Sequence, residues 1–390
     1  MKVFVFGTRG IPGIPGGVET HCEMVYPAIL SKSVFTQITV ICRSRYVREL
    51  NLSRYKGVRI KAIYAPKSKT FEAIIHSFLA AVYTIIKRPD IVHIHAVGPN
   101  LMTPVLRMFG LKVIMTHHGP DYEREKWRPI EKIILKTGEF FGVKFSNKVI
   151  VISDQIAANV SALYKRRDCI IIPNGVGKAV HSDSIDFLRK HNLKKGKYIL
   201  AVGRFVPEKG FDYLIRAYKK SGLARHFKLV IAGDSDHVTP YSTSLKELAL
   251  KEKVVLTGFI KGDNLAQIYS NTALFILPSF YEGLPIALLE AMNYNLDILA
   301  SDIIANKQMN LPDTCYFRTG NEDDLAREII NKVFSVPGKI TYDMTPFNWD
   351  KIALRTLQAY QSISLRNIIR KSASEVETKV LVNELENVSE

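Results

Sequence analysis

The sequence predicts an α/β protein made of two doubly wound, parallel-sheet domains facing each other across a cleft. Three observations predict it. The chain has 390 residues, more than one hydrophobic core comfortably organises. Short apolar runs alternate with segments whose apolar residues recur at helical spacing. That alternation then starts afresh after residue 175.

The first unit opens with the buried-strand run "KVFVFG" and the Gly- and Pro-rich loop "GTRGIPGIPGGVET". A helical stretch from Glu19 to Leu30 and the strand "TQITVIC" complete a strand–helix–strand opening. Further strands are predicted at "VRIKAIY", "DIVHIHA", "LKVIMTHH", "NKVIVIS" and "CIIIPNGVG", the last turning at Asn174-Gly175. The second unit runs strand "KYILAVGRF", helix "EKGFDYLIRAYKK", strand "KLVIAGD", helix "SLKELALKE", strand "KVVLTGF" and helix "DNLAQIYSN". It closes with strand "ALFILPS", helix "LPIALLEAMN" and strands "LDILAS" and "TCYFR". The expected boundaries are 1–175 for an N-terminal Rossmann-like domain and 176–345 for a second Rossmann-like domain. A C-terminal helix over 346–370 is expected to pack back on the first domain, and 371–390 form a polar tail.

Composition narrows the partners. Residues 1–175 hold 26 Lys and Arg against 12 Asp and Glu, a difference of +14 within a whole-chain charge of +17. Such a bias suits an anionic partner. No helix-turn-helix, zinc-finger or RNP-like pattern is present, so nucleic acid is not expected. Cys22, Cys42, Cys169 and Cys315 lie far apart, without a C-x-x-C pair, which fits a reducing cytoplasm. The N-terminus lacks a signal-peptide pattern. The longest uncharged apolar run, Ala73–Ile86, is shorter than the ~20 residues that span a bilayer.

In open α/β sheets, ligands bind where strand ends lead into helix N-termini. "VGRFVPEKG" puts Arg204 and Lys209 in one such loop, where two cations can neutralise a diphosphate. "SFYEGLPIALLEAMN" places Glu282 just before a helix expected from about Leu284, with Pro285 in its first turn. The free N–H groups near Ile286 and Ala287 favour an anion. Glu282 can accept hydrogen bonds from sugar hydroxyls, and Glu290 can accept both hydroxyls of a ribose.

These residues carry a resemblance. The Glu282-x7-Glu290 pattern, "GRFVPEKG" and "PNGV", with "GTRGIPGIPGGVET", "THHGPDYEREKW" and "GNEDDLAREI", together resemble the retaining glycosyltransferases of family 4, which have the two-domain GT-B fold. The resemblance implies that Arg204 and Lys209 hold the diphosphate, Glu290 the ribose and Glu282 a hydroxyl of the transferred sugar. It places Gly283, Leu284, Ile286 and Ala287 on the donor and matches Ile260 to the position whose backbone meets the nucleobase. Its expected setting is assembly of bacterial O-antigen, capsule or exopolysaccharide, with UDP as the expected nucleotide.

The glycine-rich loop lacks the GxGxxG and P-loop spacings, so NAD binding is not expected. Gly16 and Gly17 allow close backbone approach to a ligand, and the resemblance matches Gly17 to a contact with the donor phosphates. "THHGPDYEREKW" puts His117 and His118 at a strand end; the resemblance selects His118 as the residue near the reacting carbon. Asp121 is a candidate on the acceptor side. His93 and His95 alternate like metal ligands but lack a third, and are expected to be structural or to line the substrate. Asp234 and Asp236 form a DxD-like triplet, read as a turn, and transfer is expected to need no metal.

Between Lys126 and Lys148, six cations mix with Trp127, Ile134, Phe140, Phe141 and Phe145. This segment is either a membrane-facing surface that meets a lipid-linked acceptor or an ordinary amphipathic helix. The location expected is the cytoplasm, at the inner face of the membrane. No nucleophile is evident, so front-face attack is expected, with the leaving phosphate taking the acceptor's proton. Two departures from the family pattern stand out: Asn295 and Asp297 where Gly and Pro are common, expected to loosen a turn, and Gly177 in place of an acid. A sugar-nucleotide epimerase of the same architecture and a non-catalytic nucleotide-sugar binder are the alternatives.

Overall fold

The computed structural model describes residues 1–68, 71–123, 127–235, 237–335 and 341–363. Lys126, Asp236, the last residues of the expected C-terminal helix (364–370) and the expected tail (371–390) lie outside the described residues. The chain divides into two compact units. One comprises Met1–Ile152, Ile156–Ile172 and the chain from Trp349; the other comprises Ser153–Gln155 and Pro173–Asn348.

The first unit is an eight-stranded sheet of β1 (Lys2–Phe6), β2 (Gln37–Arg43), β3 (Arg54–Tyr55), β4 (Val58–Ile63), β5 (Ile91–His95), β6 (Val113–His117), β7 (Lys148–Val151) and β8 (Ile170–Ile171). Its order is β3-β4-β2-β1-β5-β6-β7-β8. All neighbours are parallel except the β3–β4 hairpin at the edge. Every residue of β5 and β6 is buried, as expected for strands covered on both faces. One core cluster joins Val3, Val5 and Val40 of the sheet to Tyr26 and Ile29 of the helix Gly17–Lys32. Trp349, Ile352, Leu357 and Tyr360, from a helix over 349–363, complete that cluster, so the end of the described chain belongs to the first core.

The second unit holds β9 (Tyr198–Val202), β10 (Lys228–Ala232), β11 (Val255–Leu256), β12 (Leu274–Leu277), β13 (Ile298–Ser301) and β14 (Tyr316–Phe317), all parallel. The order β11-β10-β9-β12-β13-β14 is the 3-2-1-4-5-6 winding of a dinucleotide-binding fold. Winding runs outward in opposite directions from β9 and β12. The loops that leave those two strands therefore diverge and open a crevice between them. In the first unit the same switch point falls between β1 and β5.

Candidate active site

The loop after β9 carries "GRFVPEKG", and the loop after β12 carries "PSFYEG"; both therefore emerge at the switch point of the second sheet. Phe280 N–H donates to Glu208 O at 2.9 Å, tying the two loops together. Gly210 closes the turn with φ 64°, and a Cβ there would lie 2.5 Å from Pro278 O. Only glycine fits both the left-handed backbone and the close approach. This packing brings Lys209 Nζ to 2.5 Å from Glu282 Oε1, which also accepts from Ser279 Oγ at 2.7 Å. Both charges are largely shielded, with side-chain exposures of 17% for Lys209 and 10% for Glu282. Arg204 stands partly exposed in the same loop.

The helix after Glu282 is Ile286–Asn293, and Pro285 is its N-cap rather than a first-turn residue. The expectation of a start near Leu284 is therefore corrected, because Pro285 has ψ 89°, outside helical space. The correction makes Ile286 and Ala287 the first two residues of the helix. Their N–H groups precede its first backbone bond, from Leu288 N to Pro285 O at 3.0 Å. Gly283 is partly exposed and Leu284 is buried.

One turn further on, Glu290 Oε2 accepts from Tyr269 Oη at 2.8 Å. Burial raises the Glu290 pKa, and the Tyr269 hydrogen bond opposes that rise. Tyr269 is held between two rings, stacked 5.1 Å from Tyr294 and 5.9 Å from Phe275. Ile260 lies partly buried in the loop between β11 and the helix Gly262–Ser270. The turn after Glu290 is not loosened. Asn295 takes φ 54°, a conformation that asparagine tolerates, and Asp297 Oδ1 accepts from Lys332 Nζ at 2.7 Å. Asp234 Oδ1 accepts from Ser235 N–H and from Lys246 Nζ, each at 2.8 Å, and so is held within its turn. The carbonyl of Gly177 accepts from Asn293 Nδ2 at 2.6 Å.

In the first unit, Gly16 caps the helix Gly17–Lys32 with φ 143°, and a Cβ there would strike Glu19 Oε2 and Arg9 Nη2. Glu19 is buried and accepts from the Arg9 backbone at 2.9 Å and from Arg9 Nε at 3.2 Å. A second carboxylate, Glu23, accepts from Gly13 N–H at 2.7 Å. The glycine-rich loop is thus pinned by acids that sequence reasoning passed over. The one signal for Glu19 was its place in the first helical turn.

His118 follows β6 and belongs to a buried cluster that sequence reasoning did not assemble. His118 Nε2 lies 2.9 Å from His95 Nδ1, and His95 Nε2 meets the Tyr26 hydroxyl. Tyr26 Oη reaches His93 Nδ1 at 3.2 Å, where Tyr360 Oη also arrives at 2.7 Å; His93 Nε2 bonds Thr116 Oγ1 at 2.6 Å. His21 packs edge-on against His118 at 5.2 Å and against Trp349 at 5.6 Å. Burial, then the neighbouring histidines, holds the His118 and His95 pKa well below the usual imidazole range, and burial pushes His93 down to about 3. All three are neutral at pH 7. His93 and His95 act as hydrogen-bonded members of this cluster. Among the described residues, no group of three or more His, Cys, Asp or Glu is placed to hold a metal.

His117 points elsewhere, bonding Glu139 Oε1 at 2.6 Å, with Tyr122 and Tyr164 donating to Glu139 Oε2. Asp121 begins a 3-10 turn, Asp121–Glu123, and is partly buried.

Two Rossmann-like units, the second with cations and a helix tip at its switch point, are the architecture of the GT-B type. Comparison with known proteins gives the family. Residues 15–178 match the model described as Glycosyltransferase Family 4, and residues 183–335 match Glycosyl transferases group 1. The chain belongs to this glycosyltransferase family. It is 25% identical to an uncharacterized glycosyltransferase of Methanocaldococcus jannaschii, covering 93% of this chain and 98% of that one. It is 27% identical to the Escherichia coli UDP-Gal:alpha-D-GlcNAc-diphosphoundecaprenol alpha-1,3-galactosyltransferase, covering 65% of this chain and 70% of that one. A sucrose-phosphate synthase from Thermosynechococcus elongatus shares the fold with TM-score 0.77 at 19% identity, covering 94% of this chain and 99% of that one.

Proposed function

We propose that this glycosyltransferase moves a sugar from a UDP-sugar, with retention, to a sugar hydroxyl of a lipid-linked glycan in bacterial surface polysaccharide assembly. The observation that carries the donor half is the convergence of Lys209, Glu282 and the Ile286 helix tip at one switch point. Arg204, Lys209 and the N–H groups of Ile286 and Ala287 stabilise the charge that grows on the diphosphate as the glycosidic bond stretches. Glu290 anchors the ribose, Ile260 meets the base by its backbone, and Gly16 and Gly17 approach the phosphates. Glu282 and His118 hold the transferred sugar. Attack comes from the front face, and the leaving phosphate accepts the acceptor's proton. No metal is needed, since Arg204 and Lys209 supply the positive charge; the engagement of Asp234 by Ser235 and Lys246 supports reading the DxD-like triplet as a turn.

The E. coli relative is named for UDP-Gal and a diphosphoundecaprenol acceptor, and this supports both the UDP and the lipid-linked readings. Asp121 lies on the acceptor side in this reading. The helix Pro129–Phe145 exposes Ile130, Ile133 and Phe140 together with Lys136 and Lys144, a surface suited to an anionic leaflet. Incubation with UDP-, GDP- and dTDP-sugars and undecaprenyl-diphosphate-linked acceptors, with and without EDTA, tests the proposal. Transfer from a UDP-sugar in EDTA is the expected result. Conversion of the UDP-sugar without acceptor would instead establish the epimerase, and binding without turnover the non-catalytic alternative.

A further inference from the structure

The longest uncharged apolar run of the sequence forms most of the helix Phe71–Lys87. Its polarity is inverted. The side turned toward the protein buries Glu72, His76, Ser77 and Thr84 with two alanines. The side turned outward carries Phe71, Ile75, Phe78, Val82 and Ile86, and the largest exposures are 58% for Phe71, 56% for Phe78 and 70% for Ile86. At about 100° per residue these five positions fall within an arc of about 80°, so they form one continuous stripe. A surface helix in water normally does the opposite, burying its apolar stripe and wetting its polar one. Of the buried polar groups, Glu72 pairs with Arg43 at 3.3 Å and with Arg45 at 3.5 Å, which favours this orientation of the helix.

No helix among the described residues is long and apolar enough to cross a membrane. At about 1.5 Å per residue the 17-residue helix is about 25 Å long and can lie flat. Charge selects the occupant. From Arg59 to Arg88 the sequence holds six Lys and Arg against one acid, Glu72, and that acid is consumed internally by Arg43 and Arg45. A second copy of this chain would bring like charges together, whereas an anionic bilayer neutralises them. We propose that the outward face of the helix Phe71–Lys87 beds into the headgroup boundary of an anionic membrane, with Phe71, Phe78 and Ile86 as its anchors. The proposed lipid-linked acceptor gives this docking its purpose, but the docking itself does not depend on glycosyl transfer.

The test is sedimentation of the full chain with phosphatidylglycerol-containing vesicles and with phosphatidylcholine vesicles. The F71S/F78S/I86S variant and an I130S/I133S variant of the helix Pro129–Phe145 are run alongside, and melting curves confirm that each is folded. The expected result is salt-sensitive binding to the anionic vesicles. Partition of the F71S/F78S/I86S variant should fall about tenfold or more, against a smaller loss for I130S/I133S. Absence of binding by the wild-type chain overturns the proposal. So does undiminished binding by the folded triple variant, or a wild-type dimer that this variant dissolves. Loss of vesicle binding with retained transfer to a soluble acceptor separates docking from chemistry.

Discussion

Lys209 Nζ donates to Glu282 Oε1 at 2.5 Å, so the cation proposed for the diphosphate is paired with the carboxylate proposed for the sugar. A donor entering this crevice must share Lys209 with Glu282 or displace it. Glu282→Gln removes the competing charge while keeping the shape. UDP is therefore expected to bind the variant more tightly in calorimetry, while kcat falls because the sugar loses an anionic acceptor. Lys209→Ala is expected to lower kcat at least ~100-fold, in line with loss of a charge-stabilising contact. Near-normal turnover by Lys209→Ala would remove the basis of the donor site.

Glu290 gives a second prediction, set by its hydrogen bond from Tyr269 and by burial. A ribose is held best by the ionised carboxylate, and burial moves the Glu290 pKa up from its ordinary value. The donor KM is therefore expected to climb as pH falls, starting above the usual carboxylate range. Glu290→Gln should flatten that climb and lower kcat/KM about 100-fold; Tyr269→Phe should move it to higher pH. Steady-state kinetics from pH 5 to 8 read all three outcomes.

Much of this arrangement was legible in the sequence because it depends on local chemistry. Strand runs such as "VFVF" and "LFIL" are apolar throughout, since parallel strands are covered on both faces, and they mark the switch-point loops without further information. The Lys209–Glu282 pair was not legible. It joins residues 73 positions apart, and its register is set by Gly210 lying against Pro278 O. The histidine cluster was missed for the same reason. "HIH" is visible as a triplet, but His21, Tyr26 and Tyr360 reach it from two helices far away in the chain. Asn295 misled in the other direction, because asparagine serves a left-handed turn almost as well as the glycine expected there.

The chain His118–His95–Tyr26–His93 couples the protons of its members. If the Tyr26 hydroxyl donates to His95 Nε2, His95 Nδ1 carries the hydrogen and His118 Nε2 accepts it. His118 then keeps its own hydrogen on Nδ1. If Tyr26 instead donates to His93, the pattern reverses along the chain. Tyr26→Phe removes the choice and is expected to change the His118 tautomer population seen by nitrogen-15 NMR. It should lower kcat roughly tenfold, with donor KM little changed. Unchanged imidazole spectra in a folded variant would show that the tautomer of His118 is set elsewhere.

The same burial makes the first unit sensitive to acid. Burial, with Arg43 adding to the effect, pushes His76 down to about 4, and burial pushes His93 to about 3. In the unfolded chain both return to an ordinary imidazole pKa near 6.5. Between those limits the unfolded state binds protons that the folded state refuses, so stability falls as pH falls. The contribution of each group is complete above pH ~6.5 and is lost by about 1.4 kcal/mol per pH unit on the way down to its folded pKa. Thermal melting from pH 7.5 to 4.5 should show a steep loss over that window. His93→Gln should melt lower at pH 7, because Tyr360 and Thr116 lose their imidazole partner, yet its melting temperature should fall less steeply with acid. A His93→Gln slope equal to that of the wild-type protein would assign the acid sensitivity to other groups.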